Sequence, residues 1–467
     1  MGLEGGDPLK KGAYYITILI CLTALLFYLG LETKQILATI ILLALVLGTV
    51  FFWEIRLSFA LIGISVLIAG GLLSIEKFIE FSSLNIILFL AGMMMFVGYL
   101  EKIAFFEFLI SKLIRLLGGG GKRLFFAIMI MSAFFAAIVD EVTSILFMLS
   151  IVLLITARVR VNPVPFVIMT IFATNIGSSA SAVGNPVGVM IALSAKLSFT
   201  DFLHVATPIS FTALIIGLVA CFIIFNKDIS EFTKKSKAMP INELVDEHEF
   251  SQSTGYTAVF FTIVMTSLVF HSQIEHYLGL EKNSMLLGTA LGAAGIVLLL
   301  EKNNARAFVE NKVDWWTLLF FMLLFSSVGT LEQSGVMHLL TDQFIKIFGS
   351  TPALASAGIM LISGFLTSAL DNVLAVAVFI PLVHELQTTT IAGNYLWWSL
   401  LFGGTLFGNL TIIGSTANII ALGLMEKRGL PKITFMQWLG YSLPIVIITV
   451  ATAFILLYIQ IPHMMKG

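Results

Sequence analysis

Ile138-Val139-Asp140-Glu141-Val142-Thr143-Ser144 and Leu370-Asp371-Asn372-Val373-Leu374 each set an aspartate inside an otherwise apolar run, and the two aspartates stand 231 residues apart. Without a gap, the same offset carries Gly98 onto Gly329, Glu101 onto Glu332, Gly118 onto Gly349, Ser132 onto Ser363 and Val142 onto Val373. Matches among Leu and Ile would follow from composition, but paired Gly, Glu and Asp in one register would not. The chain therefore reads as two copies of one unit, each with a carboxylate deep in apolar surroundings.

Of the 467 residues, 58% are hydrophobic and 11% charged, with a mean hydropathy of +1.01. This is far above an ordinary soluble domain and predicts an all-α polytopic membrane protein whose first partner is the lipid bilayer. A net charge of -1 gives no field that would draw nucleic acid. Cys21 and Cys221 lie in apolar runs with no CxxC or Cys/His cluster, which argues against a disulfide scaffold or a zinc site. The histidines form no HExxH and no P-loop is present, so an intramembrane zinc protease or an ATP-driven pump is disfavoured. Neither enzyme activity nor a cofactor is expected.

Runs of roughly 20 apolar residues, enough to cross a ~30 Å hydrocarbon core, fall near 14–31, 34–52, 57–75, 84–100, 207–226, 256–272, 283–300, 316–332 and 440–461. The first lacks a small-residue cleavage site and reads as a transmembrane helix rather than a leader. Residues 124–156 and 353–386 are too long for one helix and too short for two crossings with a loop, so each reads as a re-entrant hairpin of two half-helices. The bends carry Asp140-Glu141 and Asp371-Asn372. Residues 165–196 and 395–425 are interrupted by small and polar residues: Asn175 to Pro186 in one, Gly408 to Asn418 in the other. They read as helices that unwind within the membrane. Stretches 104–117 and 336–348 suit interfacial helices.

The predicted organisation is an N-terminal segment with the first transmembrane helix (1–33), a first repeat (34–226), a linker (227–255) and a second repeat (256–467). Counting each interrupted helix as one crossing gives about 11 transmembrane helices. Five of them separate the aspartates, so the second repeat is inverted relative to the first. With the N-terminus in the cytoplasm and the C-terminus outside, 20 of the 26 Lys and Arg fall on the cytoplasmic side. That asymmetry fits the rule for a cell-membrane protein.

Charged groups at membrane depth are expensive and usually face a protein interior or a water-filled site. Asp140, Glu141 and Asp371 are accordingly the leading candidates for ion or substrate binding, with Thr143 and Asn372 beside them at the bends. Helix N-termini at each bend can stabilise an anion. The alternative is that each aspartate only caps the helix that follows, although a buried charge is a costly cap where Ser or Asn would serve. Asn175, Ser178, Ser179, Ser181 and Asn185 in the first interruption, with Asn409, Thr411, Ser415, Thr416 and Asn418 in the second, offer neutral oxygens for a Na⁺ site or a small oxyanion. Packing of small residues between helices is the competing role. Glu101 and Glu332, at helix ends, suit anchoring.

At Asp140 to Ser144, Asn175 to Pro186, Asp371 to Val373 and Gly408 to Asn418, the chain resembles the ion transporter superfamily. That group includes arsenite-pump and P-protein-like permeases, NhaD-type sodium/proton antiporters, divalent-anion/sodium symporters and citrate-transporter-like domains. The resemblance spans about residues 34–461. It implies a homodimer, each protomer having a scaffold and a moving domain built from two hairpins and two interrupted helices. Glu141 stands where the P-protein-like pattern has Asn, and Gly184-Asn185-Pro186-Val187-Gly188 replaces its Gly-Asp-Pro-Pro-Asn-like break. The expected function is secondary active transport by elevator-type alternating access. Three membrane-embedded carboxylates with no basic residue in the predicted site favour Na⁺/H⁺ exchange, since a buried carboxyl can exchange a proton for Na⁺. Coupled transport of a dicarboxylate, sulfate or arsenite is the alternative. An ion channel is the reading from another class, and it would need a continuous pore.

Overall fold

The computed structural model describes residues 8–116, 121–237, 239–240, 252–389 and 393–464, and among these all regular structure is helical. The offset found in the sequence recurs in the elements. Leu84–Lys102 maps residue for residue onto Trp315–Gln333, and Gly121–Ile138 onto Pro352–Ala369. Glu141 and Asn372 both open the returning helix of their hairpin, and Val164 and Tyr395 both open an interrupted helix. The interruptions fall between Val164–Ser178 and Pro186–Ser194, and between the short helix Phe407–Asn409 and Thr416–Lys427.

The chain is a multi-pass membrane protein. By length and apolarity alone 10 helices can cross, or up to 11 if the bent pair Gly255–Val269 and His271–Leu278, at 65°, is one span. That criterion counts three of the four hairpin limbs, leaves Asn372–Thr388 among the shorter apolar helices, and omits Arg56–Ala69, which is only 14 residues long. Connectivity shows what length cannot. The hairpins open toward opposite ends of the bundle, yet their first returning residues touch, with Asn372 Nδ2 donating to Glu141 Oε1 at 3.2 Å. Both tips therefore lie inside the bundle.

Two packing groups surround this junction. In one, Leu84–Lys102 packs along Ser284–Glu301, and Trp315–Gln333 packs on Thr33–Phe51 and Arg56–Ala69. In the other, the outgoing hairpin limbs Gly121–Ile138 and Pro352–Ala369 lie along Val164–Ser178 and Tyr395–Leu406, and Ala206–Ile224 packs on Phe435–Met464. A cavity of about 1020 Å³ separates the groups at one end, between Trp53, Glu54 and Ile55 on one side and Ile412, Ile413 and Lys432 on the other. At the opposite end a smaller cavity of about 450 Å³ lies between Glu80 and Glu332 on one side and His384 and Glu385 on the other.

Ion pairs confirm which connections share an end. Lys102 meets Glu301 and Lys312 meets Glu101, each at 2.7 Å, and Lys235 Nζ donates to the Arg160 carbonyl at 2.9 Å. These are connections that alternate crossing places together.

Several boundaries differ from the sequence reading. The hairpin limbs are not half-helices: they run 18 or 19 residues, about 27 Å each. Lys122 and Arg158 sit on them as amphipathic ends that an apolar window trims away. The first helix starts at Pro8 and takes in Lys10 and Lys11 for the same reason. Residues 57–75 do not form one long span, because Arg56–Ala69 stops at a turn through Gly70 and Gly71 before Ile75–Phe81. The start of the expected linker is a helix, Asn226–Ser236, whose buried Ile229 and Phe232 pack against the first hairpin, with the Ser236 hydroxyl accepting from Gly121 N at 2.8 Å. Residues 241–251 of that linker lie outside the described residues. His271 is buried, its Nδ1 against the Leu268 carbonyl at 2.9 Å.

Close backbone approach holds the first hairpin to its interrupted helix. A Cβ on Gly177 would stand 2.3 Å from both Cα and the carbonyl oxygen of Ala133. Backbone cannot rotate away as a side chain can, so the two helices would have to separate. Overpacking of this kind costs about 1–3 kcal/mol. Gly177→Val is expected to lower the melting temperature of the detergent-purified protein by several degrees. Gly292→Ala, where an added Cβ meets nothing within 4 Å, should leave it in place. Equal melting curves for the two variants would refute the packing argument.

Candidate functional site

The site grows from the two bends. Each aspartate caps the helix that follows it: Asp140 Oδ1 accepts from Val142 N at 2.8 Å and Thr143 N at 2.9 Å, and Asp371 Oδ1 accepts from Val373 N at 3.0 Å. Capping is thus present at both bends. It does not use all of the carboxylate capacity. Asp371 Oδ2 accepts from the Thr416 hydroxyl at 2.8 Å, which ties the second hairpin to the second interruption.

Glu141 is the most enclosed carboxylate at the bends, only 2% exposed. Oε1 takes the Asn372 amide already described, and Oε2 lies 3.1 Å from the Ser178 hydroxyl. That hydroxyl also lies 2.9 Å from the Asn175 carbonyl and accepts from Asn185 Nδ2 at 2.8 Å. Ser178 has one proton for two acceptors, so it can turn toward Glu141 or away from it. Asn185 Oδ1 is held by Gly188 N at 2.7 Å, as the cap of Pro186–Ser194. Asp140 precedes Glu141 and Asp371 precedes Asn372 in the chain, so both aspartates adjoin the 3.2 Å junction.

A second cluster joins the two interruptions. Asn175 Nδ2 donates to Asn409 Oδ1 at 2.7 Å and Asn418 Oδ1 at 2.8 Å, while its Oδ1 accepts from Ser415 at 3.2 Å. Asn418 Nδ2 then satisfies the carbonyls of Gly408 and Thr411 at 2.8 and 2.9 Å, groups freed where the helix unwinds. Trp438 Nε1 donates to the Asn409 carbonyl at 3.0 Å. Each outgoing limb also gives a last-turn carbonyl to its own repeat's interruption: Ser181 bonds to the Ala137 carbonyl, and Thr411 to that of Ser368 at 2.6 Å. Ala137 and Ser368 are themselves 231 residues apart.

The structure therefore brings Asp140, Glu141, Thr143, Asn185, Asp371, Asn372 and Thr416 to the bends. It gathers Asn175, Asn409, Ser415 and Asn418 into an adjoining lock whose hydrogen bonds are mostly spent internally. Ser179 joins neither cluster, because its hydroxyl pairs with Ser210 at 2.7 Å and with the Ile176 carbonyl. Within these two clusters, Asn372 Oδ1 and Asn409 Nδ2 are buried with no hydrogen-bond partner, one an acceptor and the other a donor. Among the described residues no group of three or more His, Cys, Asp and Glu side chains has metal-site geometry. Sequence reading did not single out Trp438, which precedes the predicted span at 440–461. It also did not single out Arg56, which is buried with its guanidinium 3.8 Å from the Trp53 ring centroid.

Opposed hairpin tips and interrupted helices at the centre of a membrane bundle are the build of a solute transporter, in which unwound backbone and helix ends form a binding site at mid-depth. The chain belongs to the citrate transporter family, which matches residues 43–403. An uncharacterized transporter of Mycobacterium bovis is 28% identical over 382 residues, 80% of this chain and 86% of its own length. The P protein of Homo sapiens is 23% identical over 475 residues, 86% of this chain and 56% of the P protein. Among solved structures, the YdaH transporter of Alcanivorax borkumensis superposes with a TM-score of 0.54 at 16% identity, covering 83% of this chain and 87% of that one. At that identity the likeness is one of fold.

The asparagine lock has a distinct consequence. Removing the Asn175 side chain strands two buried acceptors and a hydroxyl, each costing roughly 1–3 kcal/mol when unpaired. Asn175→Ala is expected to lower the melting temperature and to speed amide hydrogen exchange in residues 407–416 more than elsewhere. An unchanged exchange map across that segment would show that the lock does not hold the interruption.

Proposed function

We propose that this member of the citrate transporter family is a secondary active transporter that exchanges Na⁺ for protons at the hairpin junction. The observation that carries the reading is Glu141: nearly fully enclosed, bonded by the neutral donors Asn372 and Ser178, at a junction that Asp140 and Asp371 adjoin. Three carboxyl groups in one apolar enclosure need protons or a cation to offset them. Asn372 Oδ1, buried and unpartnered, adds a neutral oxygen of the kind Na⁺ takes. No cofactor is part of this scheme, and Na⁺ or H⁺ serves as the coupling ion.

The packing supports an elevator movement. The group containing Leu84–Lys102, Ser284–Glu301 and Trp315–Gln333 acts as the scaffold, and the hairpins and interrupted helices travel as one body. The large cavity marks the end toward which the site is displaced. With 20 of 26 basic residues assigned to that end, it faces the cytoplasm of a cell membrane, with the N-terminus inside and the C-terminus outside. The homodimer expected from the superfamily resemblance belongs to the same proposal.

A second reading is coupled transport of a citrate-like carboxylate or another small oxyanion. It is favoured by the family match and by Asn409 Nδ2, a buried donor with nothing to donate to. Proteoliposomes under imposed gradients separate the two. Sodium-driven proton movement without any organic anion supports exchange; uptake of labelled citrate, dicarboxylate, sulfate or arsenite that needs Na⁺ or H⁺ supports the second. Step currents of single channels would overturn both. In the exchange reading, Glu141→Gln, Asp140→Asn and Asp371→Asn each abolish coupled flux while the purified variants keep a single elution peak. Normal flux in Glu141→Gln would remove that residue from the mechanism.

A further inference from the structure

A buried chain of hydrogen bonds runs from one packing group to the other at the end opposite the large cavity. It starts at His271, fully buried at the head of His271–Leu278. The ring's Nδ1 faces the Leu268 carbonyl at 2.9 Å, and its Nε2 faces Asn283 Oδ1 at 3.3 Å. Asn283, just before Ser284–Glu301, then donates Nδ2 to the Ala192 carbonyl at 3.2 Å. Ala192 lies in Pro186–Ser194, the second half of the first interrupted helix, and Ser194 lines the smaller cavity. Ser284–Glu301 belongs to the scaffold, so the bond from Asn283 to Ala192 ties the scaffold to the body that moves.

Asn283 is held so that its side chain answers to the ring. Its backbone takes a left-handed conformation, φ 67°, that asparagine tolerates. Glu275 pins that backbone: Oε2 accepts from Asn283 N at 3.0 Å and Oε1 from Met285 N at 2.8 Å. Glu275 is buried one helical turn from His271, so a protonated ring has a carboxylate on its own face of the helix. Other charge near this node is at the surface or spent. His276, Glu281, Lys282 and His204 are exposed, and Asp201 accepts from Ser198. Gln252–Val269 and Pro186–Ser194 carry no charged side chain, and Ser284–Glu301 carries one only at its far end. Carbonyl oxygens, which can only accept, stand at both ends of the chain. With both ring nitrogens protonated every contact has a donor. A neutral ring has one N–H, and the shorter contact, to Leu268, holds it. The bare Nε2 then faces Oδ1, acceptor against acceptor. Turning the amide over relieves that clash but sets Oδ1 against the Ala192 carbonyl.

We propose that His271 is a regulatory proton site: its protonated ring sets the Asn283 amide to latch Pro186–Ser194 to the scaffold, and loss of the proton releases the latch. This rests on the elevator movement proposed above. The latch is made in the conformation with the large cavity open, and travel of the inner body past the scaffold must break it. Histidine ordinarily changes charge between about pH 5 and 8. Acid therefore holds the large cavity open, and a rise in pH frees the hairpin body to travel. The proton bound here stays on the scaffold and is distinct from any proton carried at Glu141.

Spin labels at Glu54→Cys and Ile413→Cys, on facing walls of the large cavity, report its width by pulsed double electron resonance in nanodiscs, with the exposed Cys21 replaced by Ser. As pH falls from about 8 to about 5, the ratio of wide to narrow cavities should rise about fivefold in this parent, the effect of one net hydrogen bond. His271→Gln should lose that response. Asn283→Gly, which keeps the positive-φ backbone and removes the amide, should hold the parent's high-pH ratio at every pH, and it carries the test should His271→Gln fail to fold. A parent-like pH response in either variant overturns the proposal, as does a parent whose distances shift with Na⁺ but not with pH. A parent fixed at one distance under every Na⁺ and pH condition overturns the elevator movement itself, and the parent alone reveals that outcome.

Discussion

The contact between Glu141 and Asn372 sets the terms for the rest of the molecule. These residues are each other's mates in the repeat, and they meet at 3.2 Å. Residues related by an approximate twofold can touch only on or beside its axis, so the axis passes through the hairpin tips. Everything that enters this region must end there without exposing backbone to hydrocarbon. Aspartates cap the returning limbs, Ser181 and Thr411 cover the last carbonyls of the outgoing limbs, and the two interruptions supply the hydroxyls and amides between them. Unwinding the interrupted helices frees more carbonyls, and Asn418 covers two of those. The polar centre is a connected network because a lone polar group there would be costly.

The sequence carried the architecture in an unusually direct form. A repeat offset constrains every element at once, and costly residues such as Asp140 and Asp371 mark the bends without any need for helix propensity. Boundaries were less legible. A window that rewards apolarity cuts a limb where Lys122 or Arg158 begins, although a helix continues into a charged end without difficulty. Residue type also hides partnership. Asn175, Asn409 and Asn418 read as ligand oxygens, but composition cannot reveal that three asparagines from two distant segments bond to one another. Ser178 and Ser179 are adjacent and chemically identical, yet helical geometry turns one toward Glu141 and the other toward Ser210.

A frame with twofold symmetry solves one problem of alternating access and creates another. Because elements of the two repeats share one offset, the elevator movement proposed above would reproduce at one end the packing seen at the other. The two end states then differ little in energy, and modest differences in ligand binding can tip the balance. A site as symmetric as the frame would bind equally from both ends and give no preference. The chemistry departs from the frame where it matters. Asp140 spends one oxygen on two amides, whereas Asp371 divides its oxygens between an amide and Thr416. Asn185, one residue from the position matching Ser415, turns back to Ser178 rather than across to the other interruption. Glu141 is an ionisable carboxyl where its mate Asn372 is a neutral amide. In the proposed movement, symmetry in the helices keeps both states reachable, and asymmetry confined to a few side chains on the axis lets them differ in what they hold.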